Sequence, residues 1–251
     1  MRSTRPRYIG RSFFSVKDKE NFVNARRALF DSLADDCGLF AGDNLITWGK
    51  SIGWFQDVPF VEAFNAHAVE PVERTIAWRT VILTWAVRQA LRVTGDLVEC
   101  GCYKGTTARI LYDVAGLAGS ERRLFLYDLF DGAEGIAKHG MPHHGPNLEA
   151  QVRQRFADLA NVIITQGSVP ESFNQAAPEQ IAFLHVDMNN LSAEIGALEA
   201  LFDRVTTGGI IVLDDYGWAA YEDQMVGERR WFADRGYYVL ELPTGQGMVI
   251  K

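Results

Sequence analysis

The second part of the chain alternates short apolar runs with amphipathic segments. Seven apolar runs predict strands: 96–100, 124–127, 162–165, 181–186, 209–213, 237–242 and 248–250. Helical spacing of apolar residues predicts helices between them: 105–117, 147–159, a short one near 171–176, 192–204 and 219–235. Strands separated by helices imply an α/β fold, with a parallel sheet that right-handed crossovers cover on both faces. Only Pro243 to Gly247 separates the last two strands, so we expect them to form an antiparallel hairpin at the sheet edge.

The first third of the chain lacks this alternation. It is predicted to be an N-terminal helical extension, residues 1–94, ahead of the main domain, residues 95–251. Helical spacing predicts helices over 17–39 and 72–91. Residues 41–67 carry large aromatic side chains among glycines and polar residues without a clean period. They are predicted to form a loop that packs its rings on the core, and a lid over an acceptor site is the alternative.

Composition and charge narrow the classes of function. The chain of 251 residues has a formal net charge of −7 and no long basic run, which argues against nucleic-acid binding and favours a small-molecule partner. No apolar run reaches the length of a membrane span, and no apolar signal region follows the basic N-terminus. That N-terminus is expected to be a flexible arm, or to dock on a partner subunit of a homo-oligomer. Three cysteines without a C-x-x-C pair indicate a reduced, cytoplasmic location.

The turn after the first strand predicts a ligand site. Glu99 ends the strand, and Gly101 and Gly105 let a ligand lie against bare backbone. Tyr103 lies in the same turn, and Thr106 begins a helix whose free N–H groups face the turn. The spacing differs from the G-x-G-x-x-G of dinucleotide sites, and an acidic strand tip would repel a pyrophosphate but suits a cationic ligand. S-adenosylmethionine is such a ligand, and these five residues form its predicted binding turn.

The next two strands end in residues that extend this cofactor site. In an open parallel sheet, ligands bind beyond the carboxyl ends of the strands. Asp128 follows the second strand, where a carboxylate can accept hydrogen bonds from the two hydroxyls of a ribose. Gly167 and Ser168 follow the third strand. All three residues are predicted to contact the cofactor.

The fourth and fifth strands end in three aspartates, Asp187, Asp214 and Asp215. Carboxylates at neighbouring strand tips would repel one another unless a cation lies between them, and oxygen ligands with room for water suit Mg²⁺. The three are therefore a predicted metal site, and Asp187 is assigned to the cofactor site as well. The alternative is that only one faces the site, because adjacent residues of a strand point to opposite faces.

Histidines in the loop after the second strand are candidates for a catalytic base. His139, His143 and His144 lie within six positions, in a loop predicted to hang over the site. A histidine there can take a proton near neutral pH, although exposed loop histidines often have no function. His185 lies on the fourth strand and is expected to pack or to hydrogen-bond structurally.

Four stretches together resemble the macrocin O-methyltransferase family. They are GDLVECG at 95–101, DLFDG at 128–132 for the family's D-S-F-E-G, HVD at 185–187 for its R-L-D, and GGIIVLDDY at 208–216. The resemblance covers about the last two thirds of the chain. It implies a Rossmann-like class I methyltransferase fold, with a seven-stranded, mostly parallel sheet. It also implies an S-adenosylmethionine-dependent enzyme that methylates sugar hydroxyls of macrolides and related glycosides.

The resemblance also implies roles for individual residues. Glu99 and Gly101 would hold the methionine part of the cofactor, and Asp128 its ribose. The three strand-tip aspartates would hold a divalent metal, which binds two neighbouring hydroxyls of the acceptor. A histidine of the 139–144 loop, or Asp187 bound to the metal, would be the base.

The chain departs from the family pattern after the fourth strand. Where the family has D-G-D-x-Y, residues 187–191 are Asp-Met-Asn-Asn-Leu, which lack one acid and the aromatic residue. The loop after Gly132 is also shorter than in the family, so any of the three histidines could be the one that matches the family's histidine. Two alternatives therefore remain beside a sugar O-methyltransferase. One is a metal-dependent enzyme with a catechol-like acceptor, and the other is a non-catalytic module that binds S-adenosylmethionine.

Overall fold

The computed structural model describes residues 5–130 and 141–251. The chain divides into two compact units, Met1–Val81 and Ile82–Lys251. This division falls within a helix, whereas the sequence pattern predicted a boundary at 94/95.

The first unit contains a small sheet and several helices. Its elements, the last of which continues into the second unit, are β1 (Arg7–Ile9), α1 (Lys19–Asp31), β2 (Leu39–Gly42), β3 (Leu45–Trp48), α2 (Val58–His67), α3 (Pro71–Thr75) and α4 (Ala77–Ala90). The strand order is β1-β2-β3, with β1 parallel and β3 antiparallel to β2. A 3-10 turn at Gly53–Gln56 leads into α2.

Three expectations for this part of the chain differ from the structure. Residues 7–9 are not a flexible arm, because they pair in register with residues 39–41 as a strand. Residues 41–67 are not a loop, because they contain a hairpin strand and a ten-residue helix. Asp43 and Asn44 both have positive φ, 51° and 57°, which is the conformation that a two-residue hairpin turn needs. The helix predicted over 72–91 is two helices that meet at Ile76.

The second unit is the α/β domain that the alternating pattern predicted. Its strands are β4 (Asp96–Cys100), β5 (Leu124–Asp128), β6 (Val162–Gln166), β7 (Ile181–Val186), β8 (Val205–Leu213), β9 (Leu240–Glu241) and β10 (Gly247–Ile250). Their order in the sheet is β6-β5-β4-β7-β8-β10-β9. Strand β10 is antiparallel to both neighbours, and the pairs from β6 to β8 are parallel. The seven-stranded, mostly parallel sheet with an antiparallel C-terminal hairpin is thus confirmed.

Helices cover both faces of this sheet. They are α5 (Thr106–Val114), α6 (Leu148–Arg155), α7 (Leu191–Leu201) and α8 (Glu222–Ala233). On β4, Leu97 belongs to one buried apolar cluster with residues of α5, whereas Val98 and Cys100 belong to a second cluster with residues of α7. Because side chains alternate between the faces, Glu99 is directed to the same face as Leu97. Among the helices of the described ranges, none combines the length and apolar character that crossing a membrane requires.

Candidate active site at the carboxyl edge of the sheet

The turn after β4 brings two strand tips into close contact. Gly101 has a φ of +91°, and a Cβ atom on it would lie 1.8 Å from the main-chain oxygen of Asp187. The N–H of Asp187 donates to the oxygen of Cys100 at 2.8 Å. Only glycine fits such an approach. Gly105, with a φ of +69°, then starts α5 at Thr106. The predicted binding turn and the predicted metal aspartate are therefore neighbours.

Asp128 is buried at the tip of β5 and already accepts two main-chain hydrogen bonds. Its Oδ2 accepts from the N–H of Tyr103 at 2.7 Å, and its Oδ1 from the N–H of Phe130 at 2.8 Å. A carboxylate oxygen has two lone pairs, so each can accept a second donor from a ligand. The N–H of Gly167 donates to the main-chain oxygen of Asp128 at 3.0 Å. The oxygen of Ser168 accepts the N–H of Ser172 at 2.8 Å, so β6 also ends beside this site.

Two of the three predicted histidines lie beside Tyr103, and His144 also lies beside Asp128. The N–H of His143 donates to the hydroxyl of Tyr103 at 2.9 Å. The Nε2 of His144 lies 3.8 Å from Asp128 Oδ1, and the ring stands edge-on to Tyr103 with 5.2 Å between centroids. His139 lies outside the described residues. The tip of β5 thus combines a carboxylate, a tyrosine and an imidazole.

His185 lies between two buried carboxylates. Its Nδ1 is 2.8 Å from Glu99 Oε1, and its Nε2 is 3.4 Å from Asp214 Oδ1 without the alignment of a hydrogen bond. His185 and Glu99 are 1% and 2% exposed. Burial lowers the pKa of His185, but the neighbouring carboxylates of Asp214 and of the hydrogen-bonded Glu99 outweigh it and raise the pKa to about 10. Without a metal, the protonated ring is the cation that balances the two carboxylates.

One oxygen of Glu99 remains without a partner. Its Oε2 is buried, and no residue of the described ranges hydrogen-bonds to it. Buried carboxylate oxygens are almost always bonded, so an orphan one at a strand tip indicates a missing donor.

Asp214 is oriented from the C-terminal hairpin. Its Oδ1 accepts the Nε2 of Gln246 at 2.8 Å, and the Oε1 of Gln246 accepts the hydroxyl of Thr244 at 2.9 Å. All three residues are buried. Sequence reasoning did not single out Thr244 and Gln246, although two polar residues in a five-residue turn after an apolar strand were a signal.

The structure brings together two of the three predicted metal ligands and adds a third donor. Among the described residues, one donor atom from each of His185, Asp187 and Asp214 forms a group within 4.8 Å. Asp215 does not belong to this group. Its charge acts instead on Glu228 of α8, which agrees with the opposite directions of adjacent strand residues.

Residues 79–231 match the family model described as macrocin O-methyltransferase (TylF). The chain belongs to this family. A curated relative from Streptomyces olivaceus is 8-demethyl-8-(2,3-dimethoxy-alpha-L-rhamnosyl)-tetracenomycin-C 4'-O-methyltransferase, 25% identical over 150 residues. The match covers 52% of the chain and spans only 56% of that relative's length.

Two solved structures share the fold of this chain. The O-methyltransferase NovP superposes with a TM-score of 0.60 at 19% identity, over 71% of this chain and 81% of NovP. The calicheamicin methyltransferase CalS11 superposes with a TM-score of 0.55 at 16% identity, over 80% of this chain and 93% of CalS11. At these identities the likeness establishes the fold, which is the one that the resemblance implied.

The segment that departs from the family pattern rests on two buried glutamates. Glu194 of α7 accepts the N–H groups of Met188 and Asn189, and its Oε2 accepts the Nε2 of Gln224 at 3.0 Å. Burial raises the pKa of Glu194. Burial, then Glu194, then the charge of Asp215 raise the pKa of Glu228 to about 10. Glu228 therefore keeps its proton at neutral pH and faces Glu194 as a neutral acid.

Proposed function

We propose that the chain is an S-adenosylmethionine-dependent O-methyltransferase that methylates a sugar hydroxyl of a glycosylated small molecule. The observation that carries the proposal is the convergence of the glycine turn, Asp128, Asp187 and Asp214 at one edge of the sheet. Family membership supports the reaction. The curated relative's name describes methylation at the 4' position of a rhamnosyl compound, which supports a sugar acceptor.

The residues present fit the cofactor. The orphan Oε2 of Glu99 suits the ammonium group of its methionine part, because an ammonium donates three hydrogen bonds. The remaining lone pairs of Asp128 suit the ribose hydroxyls. When bound, S-adenosylmethionine supplies a methyl group that its sulfonium already activates.

The chain must position an acceptor oxygen and receive its proton. Because Glu99 and Gly101 would bind the methionine end, the methyl group belongs near the tip of β7, where Asp187 lies. His144 lies instead beside Asp128, at the ribose end. We therefore assign Asp187 as the base that takes the proton from the acceptor hydroxyl. His144 is assigned a contact with the cofactor. Asp187 and Asp214 would also hold a divalent cation, which lowers the pKa of a bound hydroxyl as a Lewis acid.

Titration calorimetry with S-adenosylhomocysteine tests the cofactor site. We expect Asp128→Asn to weaken binding by about 1.5–3 kcal/mol, because charge-assisted hydrogen bonds to the ribose are lost. Asp203→Asn, an exposed aspartate after α7, is the control and should bind like the parent. Equal affinity in Asp128→Asn would remove Asp128 from the site.

Mass spectrometry of methyl transfer to a rhamnosyl glycoside tests the acceptor. Product that carries one added methyl group on the sugar is expected from the parent. Binding of S-adenosylhomocysteine without transfer to rhamnosyl or catechol probes would favour a non-catalytic module instead.

A further inference from the structure

The candidate cation site contains a histidine, whereas the site predicted from the sequence consisted of three aspartates. His185 and Asp187 are two residues apart at the end of β7, so their side chains leave the strand on the same face. Asp214 follows the neighbouring strand β8. Donor atoms of these three residues lie within 4.8 Å of one another, and Nε2 of His185 lies 3.4 Å from Asp214 Oδ1. Bonds of about 2.0–2.2 Å to one ion place its ligands roughly 3–4 Å apart, so small side-chain adjustments would close the site.

The surroundings of His185 are those of a metal-bound imidazole. A ligating histidine almost always donates its other ring N–H to a carboxylate, which fixes the tautomer. Here Glu99 Oε1 accepts from Nδ1 at 2.8 Å, which leaves Nε2 directed at the aspartates. Nε2 is buried and has no hydrogen-bond partner among the described residues. Gln246 orients Asp214 in the same way. Two of the three candidate metal ligands, His185 and Asp214, are thus each held in position by a hydrogen bond to a residue outside the site.

We propose that His185, Asp187 and Asp214 together bind a divalent transition metal of the Mn²⁺ to Zn²⁺ series in preference to Mg²⁺. A set of carboxylates suits Mg²⁺, whereas an imidazole nitrogen is a ligand for Mn²⁺, Fe²⁺, Co²⁺ and Zn²⁺. The ring must bind in its neutral form, so the metal replaces the proton on Nε2. The inference deepens the proposed function by naming the class of the metal, and it rests on the proposed cation site rather than on methyl transfer.

Calorimetric titration of the chelator-treated full chain tests the proposal without any turnover. We expect Co²⁺ and Mn²⁺ to bind at least 30-fold more tightly than Mg²⁺. His185→Gln should lose at least 10-fold in Co²⁺ affinity while Mg²⁺ affinity changes less than threefold. Glu99→Gln, which in the cofactor-free chain alters the partner of His185 Nδ1 and no metal ligand, should also lose at least 10-fold in Co²⁺ affinity.

Two further measurements make the outcome decisive. The proposed ligand set contains His185, whereas the set predicted from the sequence contains Asp215 in its place. Asp215→Asn should therefore lower Co²⁺ affinity less than His185→Gln does. Pulsed EPR of the Mn²⁺ form should show coupling to an imidazole ¹⁴N that His185→Gln removes. Thermal melting identifies any variant that fails to fold. Absent ¹⁴N coupling in the parent, a preference for Mg²⁺, or no metal binding would overturn the proposal and leave His185 a protonated structural cation. Methyl transfer by such a protein would leave the proposed function intact.

Discussion

Replacing Glu228 with glutamine is expected to remove much of the loss of stability that the protein shows as the pH rises above about 4.5. Glu228 and Glu194 are 1% and 3% exposed and face each other between α7 and α8. The pKa of the Glu228 carboxyl is about 10 in the folded chain, against an ordinary value of 4.5. Unfolding exposes the carboxyl to water, so above pH 4.5 the unfolded chain gives up a proton that the folded chain keeps.

The sign and size of the effect follow from proton linkage. Between pH 4.5 and about 10 the unfolded chain binds fewer protons, so the free energy of unfolding falls as the pH rises, by up to about 1.4 kcal/mol per pH unit. Below 4.5 both states are protonated and the contribution is constant. A glutamine at 228 has no proton to lose, and its amide can donate to Glu194. The free energy of unfolding of Glu228→Gln, relative to that of the parent, should therefore rise by up to about 4 kcal/mol between pH 5 and pH 8.

Urea unfolding at half-unit steps from pH 5 to pH 8 measures this difference. Glu199→Gln is the matched control, because Glu199 is an exposed glutamate on the same helix as Glu194. Its stability curve should run parallel to that of the parent. If the curve of Glu228→Gln also runs parallel to the parent, the buried carboxyl does not hold its proton and the reasoning is refuted.

Two other substitutions test, by urea unfolding, contacts at the carboxyl end and at the amino end of the strands of the sheet. Gly101→Ala should lower the free energy of unfolding by roughly 3 kcal/mol or more, because the new Cβ would meet the Asp187 oxygen. Gly236 has a similar φ of +79° but open space around it, so Gly236→Ala should lower the free energy of unfolding by only about 1 kcal/mol. Equal losses in the two variants would contradict the close approach. Arg122→Lys should cost about 1–3 kcal/mol, because the guanidinium donates to three main-chain oxygens at 2.6–3.1 Å, and Arg123→Lys at an exposed ion pair should cost under about 1 kcal/mol.

The sequence predicted the second unit well because burial dominates its strands. Strands β5 and β7 are buried at every position, so they appear in the sequence as continuous apolar runs. The exception is β9, which covers only Leu240–Glu241 of the predicted 237–242, both exposed. The run is apolar enough to predict a longer strand, but at the sheet edge only these two residues pair with β10.

The first unit was predicted poorly because its strands are short and their pairing is not local. Strand β1 has three residues and pairs with β2 about thirty residues later. A three-residue run cannot establish a period of two, and an Arg-rich composition concealed the strand. The Asp43-Asn44 turn was the local signal for the hairpin, since aspartate and asparagine tolerate positive φ better than most residues.

The position of His185 depended on strand order, which the sequence pattern does not contain. Glu99 of β4 and His185 of β7 are paired in register across adjacent parallel strands. Although 86 residues separate them, they become lateral neighbours on one face. The strand-tip carboxylates could be predicted because each follows its own apolar run, whereas the contact between Glu99 and His185 requires knowing that β7 lies beside β4.

The departures from the family pattern after β7 are consistent with the charges beneath them. Asn189 stands where the family has a second acid, and its main-chain N–H donates to Glu194. An aspartate at 189 would add a carboxylate to a residue whose main-chain N–H already donates to Glu194, the buried partner of the protonated Glu228. Asparagine has the same shape without the charge, and with a φ of +54° it occupies a conformation that asparagine tolerates. The loss of the acid is consistent with the buried glutamate pair and does not by itself argue against a cation held by Asp187.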